Sequence, residues 1–211
     1  MDRWAEATAL LASRDTSMAA FIAEAGPCLL VRRRHPGGPF AALARAILYQ
    51  QLATGAAAAI HGRFAALYGG RPTPEAVLAT PDADLRAVGL SGAKAASVKD
   101  LAAKVLDGSV RVGALSRVGD DELVARLCAV RGIGPWTAEM FLMFQLNRPD
   151  VWPVGDLGVR AGYARIHGLA AVPTARELVG LGDRYRPWRS VAAWYCWRAM
   201  EAGVSPPPAG W

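Results

Sequence analysis

The chain has 211 residues, 53% of them hydrophobic, and its 24 lysines and arginines outnumber its 18 acidic residues to give a formal charge of +6. These values allow one compact domain or two small lobes, and the basic excess makes nucleic acid a candidate partner. The three cysteines are odd in number and far apart, which excludes a disulfide framework and a clustered metal site. Because the start lacks a secretory signal and no apolar run reaches membrane-spanning length, we expect a cytoplasmic protein without a membrane partner.

Prolines, glycines and capping residues divide the chain into helices with short connections. Only Leu29–Val31 suggests an extended stretch, and it is brief. The chain is therefore predicted to be all-α, with about ten helices in two lobes, the middle helices in one lobe and both ends in the other. We expect one domain over 1–203 and a loose tail over 204–211. The predicted helices start near Pro39, after a break at 51–55, and near Pro74, Asp82, Ala93, Asp120, Pro135, Asp156, Thr174 and Pro187.

The most distinctive local feature is a glycine hairpin, Gly132-Ile133-Gly134, between two predicted amphipathic helices. Two glycines around one aliphatic residue permit a tight turn with positive φ values that would strain other residues. Such a turn directs N–H groups outward at the start of a helix, where they and the helix dipole suit a phosphate, while Ile133 anchors the turn in the core. Gly-x-Gly also occurs in ordinary turns between helices, but its place on a basic chain favours the phosphate site.

With its neighbours, this hairpin resembles the signature of the helix-hairpin-helix (HhH-GPD) DNA glycosylase superfamily. That signature is an apolar residue, here Val130, then Gly-Ile-Gly, two variable positions and Thr137-Ala138. In the superfamily the hairpin binds DNA backbone phosphate without reading bases. The resemblance therefore implies DNA contacts by Gly132, Ile133, Gly134 and Thr137. It requires no cofactor, but it implies a monovalent cation, Na⁺ or K⁺, bound by the main-chain carbonyls of Cys128, Val130 and Ile133.

Two features separate this chain from the superfamily members that also cleave the DNA strand. Trp136 stands where those members carry a lysine that forms a Schiff base, and tryptophan has no amine for an imine. No cysteine follows Cys196, so the four-cysteine cluster loop of the endonuclease III branch is absent. Both differences indicate hydrolysis of the glycosidic bond without strand cleavage.

Asp156 stands at the predicted start of a helix, about where superfamily members place their catalytic aspartate. Taken alone, an aspartate in this position is typical of a helix N-cap. The two interpretations are compatible, because a carboxylate at a helix start is stabilised in its ionised form. A negative charge there can stabilise an oxocarbenium-like sugar or orient the attacking water.

Two further segments resemble the 3-methyladenine DNA glycosylase II (AlkA-like) family: residues 186–197, similar to its last core helix, and residues 46–52. In the family the second segment supplies the residue that wedges into the duplex, here Gln51, with Leu52 as the alternative. The resemblance places Trp136 and Trp197 in the base pocket, where an indole face attracts a cationic base by roughly 1–2 kcal/mol. In the same pocket, Met140 stands where the family has an aromatic residue.

The chain resembles a compact form of this family. The residues before Phe40 are too few for the N-terminal α/β lobe of its best-known bacterial members, so we expect a more open pocket. The resemblance implies a monofunctional glycosylase that flips alkylated purines, 3-methyladenine and 7-methylguanine, out of double-stranded DNA. Its active site would lie in the cleft between the lobes, and its product would be an abasic site for base excision repair. We expect a monomer, associated with the nucleoid in a bacterial cell.

Other functions remain open at this point. The chain could be a glycosylase for another lesion, such as hypoxanthine, ethenoadenine or a mismatched base. It could instead be a non-catalytic helix-hairpin-helix module that binds DNA structure, although such a module needs neither Asp156 nor an aromatic pocket. A helical scaffold without a nucleic-acid role is the third alternative.

Overall fold

The computed structural model describes residues 4–201. Within that range it contains twelve α-helices and no β-strand, so the all-α prediction is confirmed. The predicted tail over 204–211 lies outside the described residues. Two 3₁₀ turns, Leu115–Arg117 and Asp183–Tyr185, and a π-helical turn, Phe141–Gln145, complete the regular structure of that range. The α-helices in chain order are α1 Ala5–Arg14, α2 Thr16–Ala25, α3 Gly38–Tyr49, α4 Thr54–Ala66, α5 Pro74–Ala79, α6 Asp82–Ala87, α7 Gly92–Leu106, α8 Asp120–Cys128, α9 Pro135–Met140, α10 Leu157–Ile166, α11 Ala175–Leu181 and α12 Arg189–Glu201.

The predicted helix starts correspond to α3–α12, whereas α1 and α2 were not predicted. No proline or glycine marks where either of these two helices begins, and α1 follows Trp4 without a side-chain cap. Asp15 separates them and caps α2 by accepting a hydrogen bond from the Met18 N–H at 3.0 Å. The brief extended stretch at Leu29–Val31 forms no strand. Helix α12 begins at Arg189 rather than Pro187, since the Trp188 N–H bonds the Tyr185 carbonyl at 2.7 Å in a preceding turn.

The described residues form two compact units. The first unit contains the residues up to Arg32 and those from Leu142 onward, and the second contains Arg33–Phe141. The assignment of residues 1–203 to one domain remains a prediction. None of the helices between residues 4 and 201 has the length and apolar character that crossing a membrane requires.

In the first unit, α10 and α12 pack closely against each other. A Cβ on Gly162 in α10 would overlap the main-chain carbonyl of Cys196 in α12, so the two backbones approach where only glycine fits. Trp152 packs beside these helices and donates its indole N–H to the Leu178 carbonyl at 2.8 Å. This packing places the start of α10, where Asp156 stands, beside one face of α12.

In the second unit, eight of the twelve residues of α3 are buried, and α4 and α7 pack against this helix. Phe40, Leu43 and Ile47 recur on α3 at helical spacing and are at most 5% exposed. The helix ends at Tyr49, and the chain turns before α4 begins at Thr54. A break here is therefore confirmed, although it covers residues 50–53 rather than the predicted 51–55, and it follows the buried helix α3.

Candidate active site and nucleic-acid interface

The glycine hairpin of the second unit joins α8 to α9. Gly132 has a φ of 79°, in the left-handed region that favours glycine. Gly134 has a φ of −96° and a ψ of 173°, an extended conformation open to other residues. The expectation of positive φ values is therefore correct for Gly132 and wrong for Gly134. Ile133 is 4% exposed, which confirms that it anchors the turn in the core.

Gly134 needs a different explanation, because neither its backbone conformation nor the packing of this chain demands glycine. The residue is exposed, and a Cβ built on it would meet no atom within 4 Å. It directly precedes α9, where the first turn of a helix offers N–H groups that have no intrahelical acceptor. Glycine at such a position lets an external group approach the backbone closely, as an anion at a helix start would.

Side chains of helix α7 contact the hairpin and hold its backbone. Asp100 accepts the Arg131 N–H on one carboxylate oxygen and the Lys104 ammonium on the other, each at 2.7 Å. Partial burial raises the pKa of Asp100, but the bonds from Lys104 and the Arg131 N–H outweigh this effect and hold it below its usual value. A Cβ on Gly132 would also lie 2.8 Å from the Ser97 hydroxyl oxygen.

The two predicted wedge residues lie in the turn between α3 and α4, and both are exposed. Gln51 has a φ of 56°, which is uncommon for a residue with a Cβ, and Leu52 is 39% exposed. Sequence reasoning overlooked their neighbour Gln50, whose side-chain amide bonds to the hairpin, and Lys94, which bonds the carbonyl of Gln50. Their pairings are long-range in sequence, so no local pattern could have revealed them.

Asp156 is the N-cap of α10 in the first unit and is partly exposed. One carboxylate oxygen, Oδ1, accepts the Val159 N–H at 2.8 Å and the Trp197 indole N–H at 3.0 Å. The capping interpretation of Asp156 is therefore confirmed, and a second donor holds the same oxygen. Together the two bonds fix the orientation of a negative group at the positive end of a helix.

Trp197 is the one predicted pocket residue that lies beside Asp156 within the same unit. It is 7% exposed, and its ring stacks on Phe144 with centroids 5.9 Å apart and an interplanar angle of 25°. A Cβ on Gly158 would lie 3.0 Å from the Trp197 ring and 3.1 Å from Asp156 Oδ1, so glycine leaves room for this pair. Phe144 was not predicted, since its side chain meets Trp197 only through the packing of the unit.

The other predicted site residues lie in the second unit. Trp136 is partly exposed, whereas Thr137 is 5% and Met140 1% exposed. The Thr137 hydroxyl accepts a hydrogen bond from Gln50 at 3.3 Å. The placement of Trp136 and Met140 in the base pocket remains a prediction.

The described part of the chain holds no group of three or more histidine, cysteine or acidic side chains arranged for a metal ion. The predicted monovalent cation would use main-chain carbonyls instead, those of Cys128, Val130 and Ile133. The Val130 carbonyl accepts one hydrogen bond, from the Ile133 N–H at 3.1 Å. A carbonyl oxygen has two lone pairs, so this bond leaves one for a cation.

Comparison with known proteins gives related sequences and structures. The chain is 39% identical over 166 residues to DNA-3-methyladenine glycosylase 1 of Schizosaccharomyces pombe, covering 77% of this chain and 73% of that protein. Its fold matches the structure of S. pombe 3-methyladenine DNA glycosylase (Mag1) in complex with abasic DNA, with a TM-score of 0.81, 33% identity, and coverage of 96% and 100%. It also matches a DNA-3-methyladenine glycosidase from Bacillus halodurans, with a TM-score of 0.87, 32% identity, and coverage of 97% and 92%.

A family model covers the hairpin, the wedge turn and Asp156 together. Residues 44–181 match the HhH-GPD superfamily of base excision DNA repair proteins. The match takes in both the hairpin of the second unit and the capped aspartate of the first, which agrees with the resemblance drawn from the sequence. The chain therefore belongs to the HhH-GPD superfamily of base excision DNA repair proteins.

Proposed function

We propose that this protein is a DNA-3-methyladenine glycosylase that removes alkylated purines from double-stranded DNA and leaves an abasic site. The observation that carries the proposal is Asp156, held at the start of α10 by the N–H groups of Val159 and Trp197. Support comes from the S. pombe matches: the related sequence and the related structure are both named as 3-methyladenine DNA glycosylases, and the structure was solved in complex with abasic DNA. A non-catalytic DNA-binding module does not need a partly exposed carboxylate held beside an aromatic ring.

The first step is binding of the duplex and extrusion of the damaged nucleotide. The exposed backbone at Gly134 receives a phosphate, and positive side chains add a salt-dependent attraction. Gln51 or Leu52 enters the base stack as the lesion leaves it. Extrusion costs a few kcal/mol for a normal base and less for a damaged one, which contributes to selectivity. One copy of the chain supplies both DNA-contacting turns, so we propose that it acts as a monomer.

The chemical step is hydrolysis at the sugar carbon C1′. The bond from C1′ to the base nitrogen breaks, and its electron pair leaves with the base and neutralises the positive charge that alkylation had placed there. A proton donor is therefore not needed. The negative charge of Asp156 stabilises the cation left at C1′, and the water that adds there gives one proton to the carboxylate or to solvent.

The experiment is to incubate the protein with alkylated genomic DNA and identify the released bases by chromatography. We expect 3-methyladenine and 7-methylguanine, and we expect their release to fall with the Asp156→Asn variant, which controls for contaminating glycosylases. Release of hypoxanthine or ethenoadenine alone, from DNA that carries those lesions, would instead assign the protein to another substrate.

We also propose that the enzyme does not cleave the strand. Trp136 replaces the lysine that forms the covalent intermediate in strand-cleaving members, and no amine stands at that position. Borohydride added during turnover should trap no protein–DNA adduct. Efficient trapping would show a Schiff base and contradict this part of the proposal.

The monovalent cation at the hairpin is likewise a proposal. The carbonyls of Cys128, Val130 and Ile133 would bind it and hold the hairpin backbone for phosphate. Duplex DNA should then bind more tightly in a potassium or sodium buffer than in a tetramethylammonium buffer of equal ionic strength. Equal affinities in the three buffers would argue against the cation.

A further inference from the structure

Gln50 connects the turn that holds the wedge residues to the glycine hairpin, both in the second unit. Its amide nitrogen lies 2.8 Å from the Gly132 carbonyl and 3.3 Å from the Thr137 hydroxyl oxygen. A carbonyl oxygen can only accept, so this contact identifies the nitrogen as the group facing it. The side chain thus reaches both ends of the hairpin, the glycine in the left-handed conformation and the first turn of α9.

The backbone of the same residue is held from another side by α7. The Lys94 ammonium donates to the carbonyls of Leu48 and Gln50 at 2.6 Å and 2.8 Å, which satisfies carbonyls that the end of α3 leaves without helical partners. Burial lowers the pKa of Lys94 below its ordinary value. A charge is kept in this partly buried place because it is hydrogen-bonded to the turn.

Three side chains of α7 contact the wedge turn and the hairpin. Lys94 bonds the end of α3, Ser97 lies against Gly132 one turn later, and Asp100 accepts the Arg131 N–H another turn later. Residues three apart on a helix are neighbours on its surface, so these side chains form a row that winds along α7. The wedge turn and the hairpin are therefore attached to one helix and, through Gln50, to each other.

Gln51 directly follows this anchored residue. Its left-handed backbone, at a φ of 56°, is a conformation that residues other than glycine avoid unless their surroundings impose it. The Lys94 bond holds the carbonyl of the peptide that precedes Gln51, and the side-chain bonds hold Gln50 itself. They thereby impose the direction in which the exposed residues of the turn leave the core.

We propose that Gln50 is a positioning residue that makes phosphate binding by the hairpin and insertion of the wedge into DNA a single event. This inference rests on the proposed function. In this proposal Gln50 acts through Gln51 and Leu52, not by its own contact with base or sugar. Its two donated hydrogen bonds hold Gln51 and Leu52 in a constant position relative to the hairpin. A duplex whose phosphate binds at Gly134 is then placed so that the wedge residue can enter its base stack.

The test uses the full-length Gln50→Leu variant, which removes both donors and preserves side-chain size. Single-turnover release of 7-methylguanine is measured on two duplexes, one with the lesion opposite cytosine and one with it opposite an abasic-site analogue. We expect an approximately tenfold lower rate opposite cytosine, in line with two lost hydrogen bonds. Opposite the analogue we expect less than about a twofold change, because no base pair has to be opened.

The matched control is Tyr68→Phe, which removes a side-chain hydrogen bond of the same unit, from the Tyr68 hydroxyl to that of Thr80 at 3.0 Å. It should change the rates on both duplexes equally or not at all. Equal loss on both duplexes with Gln50→Leu would mean that Gln50 only maintains the fold and would overturn the inference. An unchanged rate opposite cytosine would overturn it as well.

A binding measurement keeps the inference separate from the enzymatic activity. If the wild-type protein releases no alkylated base, the proposed function fails first. The inference is then tested with duplex DNA that carries 2-aminopurine opposite an abasic-site analogue. Wild-type protein should raise its fluorescence on binding as the wedge enters, and Gln50→Leu should lose most of that rise with a less than threefold change in affinity. A full rise with the variant would overturn the inference.

Discussion

Two aspartates of the first unit have the same local structure but different surroundings. Asp15 and Asp156 are both helix N-caps, and each accepts the N–H of the residue three positions later. Each also accepts a bond from a nitrogen-containing ring, the His167 imidazole at 2.8 Å for Asp15 and the Trp197 indole at 3.0 Å for Asp156. The capping motif by itself therefore does not distinguish a structural carboxylate from a catalytic one.

The difference lies in burial. Asp15 is 6% exposed and accepts further bonds from the Tyr185 hydroxyl at 2.6 Å and the Arg184 guanidinium at 3.3 Å. Burial alone would raise the pKa of Asp15, but the bonds from Tyr185, His167 and the Met18 N–H outweigh it and lower the pKa to about 2. Asp156 is partly exposed, and its Oδ1 accepts the N–H groups of Val159 and Trp197. A carboxylate surrounded on all sides stabilises the fold, whereas one reachable from outside can act on a substrate.

The largest expected effect is on excision when Asp156 loses its charge. Asp156→Asn should slow the release of 7-methylguanine at least about a hundredfold, because the cation at C1′ loses its negative partner. Its amide oxygen can still accept from Val159 and Trp197, so the free energy of unfolding should change by less than about 1 kcal/mol. Single-turnover kinetics and urea denaturation measure the two quantities, and wild-type turnover by the variant would remove Asp156 from the mechanism.

The opposite result is expected for Asp15. Asp15→Asn should lower the free energy of unfolding by about 2–3 kcal/mol, since it leaves the buried partners Tyr185 and His167 with a weaker acceptor. Excision by the folded variant, measured well below its melting temperature, should stay within about twofold of wild type. A large loss of excision with intact stability would mean that the two aspartates are not functionally distinct.

The pH dependence of stability should separate the wild-type protein from Asp15→Asn. The folded pKa of Asp15 is lowered from 3.8 to about 2, so its stabilising contribution is present above the unfolded value and is lost as the pH falls through the folded one. The difference in unfolding free energy between the two proteins should be constant above about pH 5 and shrink by about 2 kcal/mol between about pH 4 and pH 2. Urea unfolding across this range measures the difference in unfolding free energy. A difference that stays constant throughout would contradict the lowered pKa of Asp15.

A smaller effect is expected when the ring donor of Asp156 is removed. Trp197→Phe keeps an aromatic ring against Phe144 but loses the N–H that holds Oδ1, and we expect about a tenfold lower excision rate. The control Trp152→Phe also loses one indole hydrogen bond in the same unit, to the Leu178 carbonyl, and should cost stability without changing excision. Equal excision rates for the two variants would show that Trp197 does not position Asp156.

The features that could be predicted from the sequence are those that depend on residues close together in the chain. Prolines, glycines, capping residues and the break after α3 predicted helices α3–α12, with α12 beginning two residues later than predicted. The Gly-Ile-Gly spacing predicted the hairpin with its buried Ile133. Asp156 was recognised both as a cap and as a candidate catalytic group. Helix α1 was not predicted because no proline, glycine or side-chain cap marks its start, and α2 was missed because Asp15 was not recognised as its cap. Gly134 was assigned the wrong backbone conformation, since Gly-x-Gly does not specify which glycine turns left-handed.

The sequence by itself determined the all-α class, the hairpin and the capped aspartate, because helices, turns and caps are closed by hydrogen bonds between residues a few positions apart. Only the tertiary structure decided that Trp197 bonds Asp156, that Gln50 bonds Gly132 and that Tyr185 and His167 enclose Asp15. Those partners are far apart in the chain, and which side chains meet depends on how the helices pack. That packing surrounds Asp15 with donors and leaves Asp156 partly exposed.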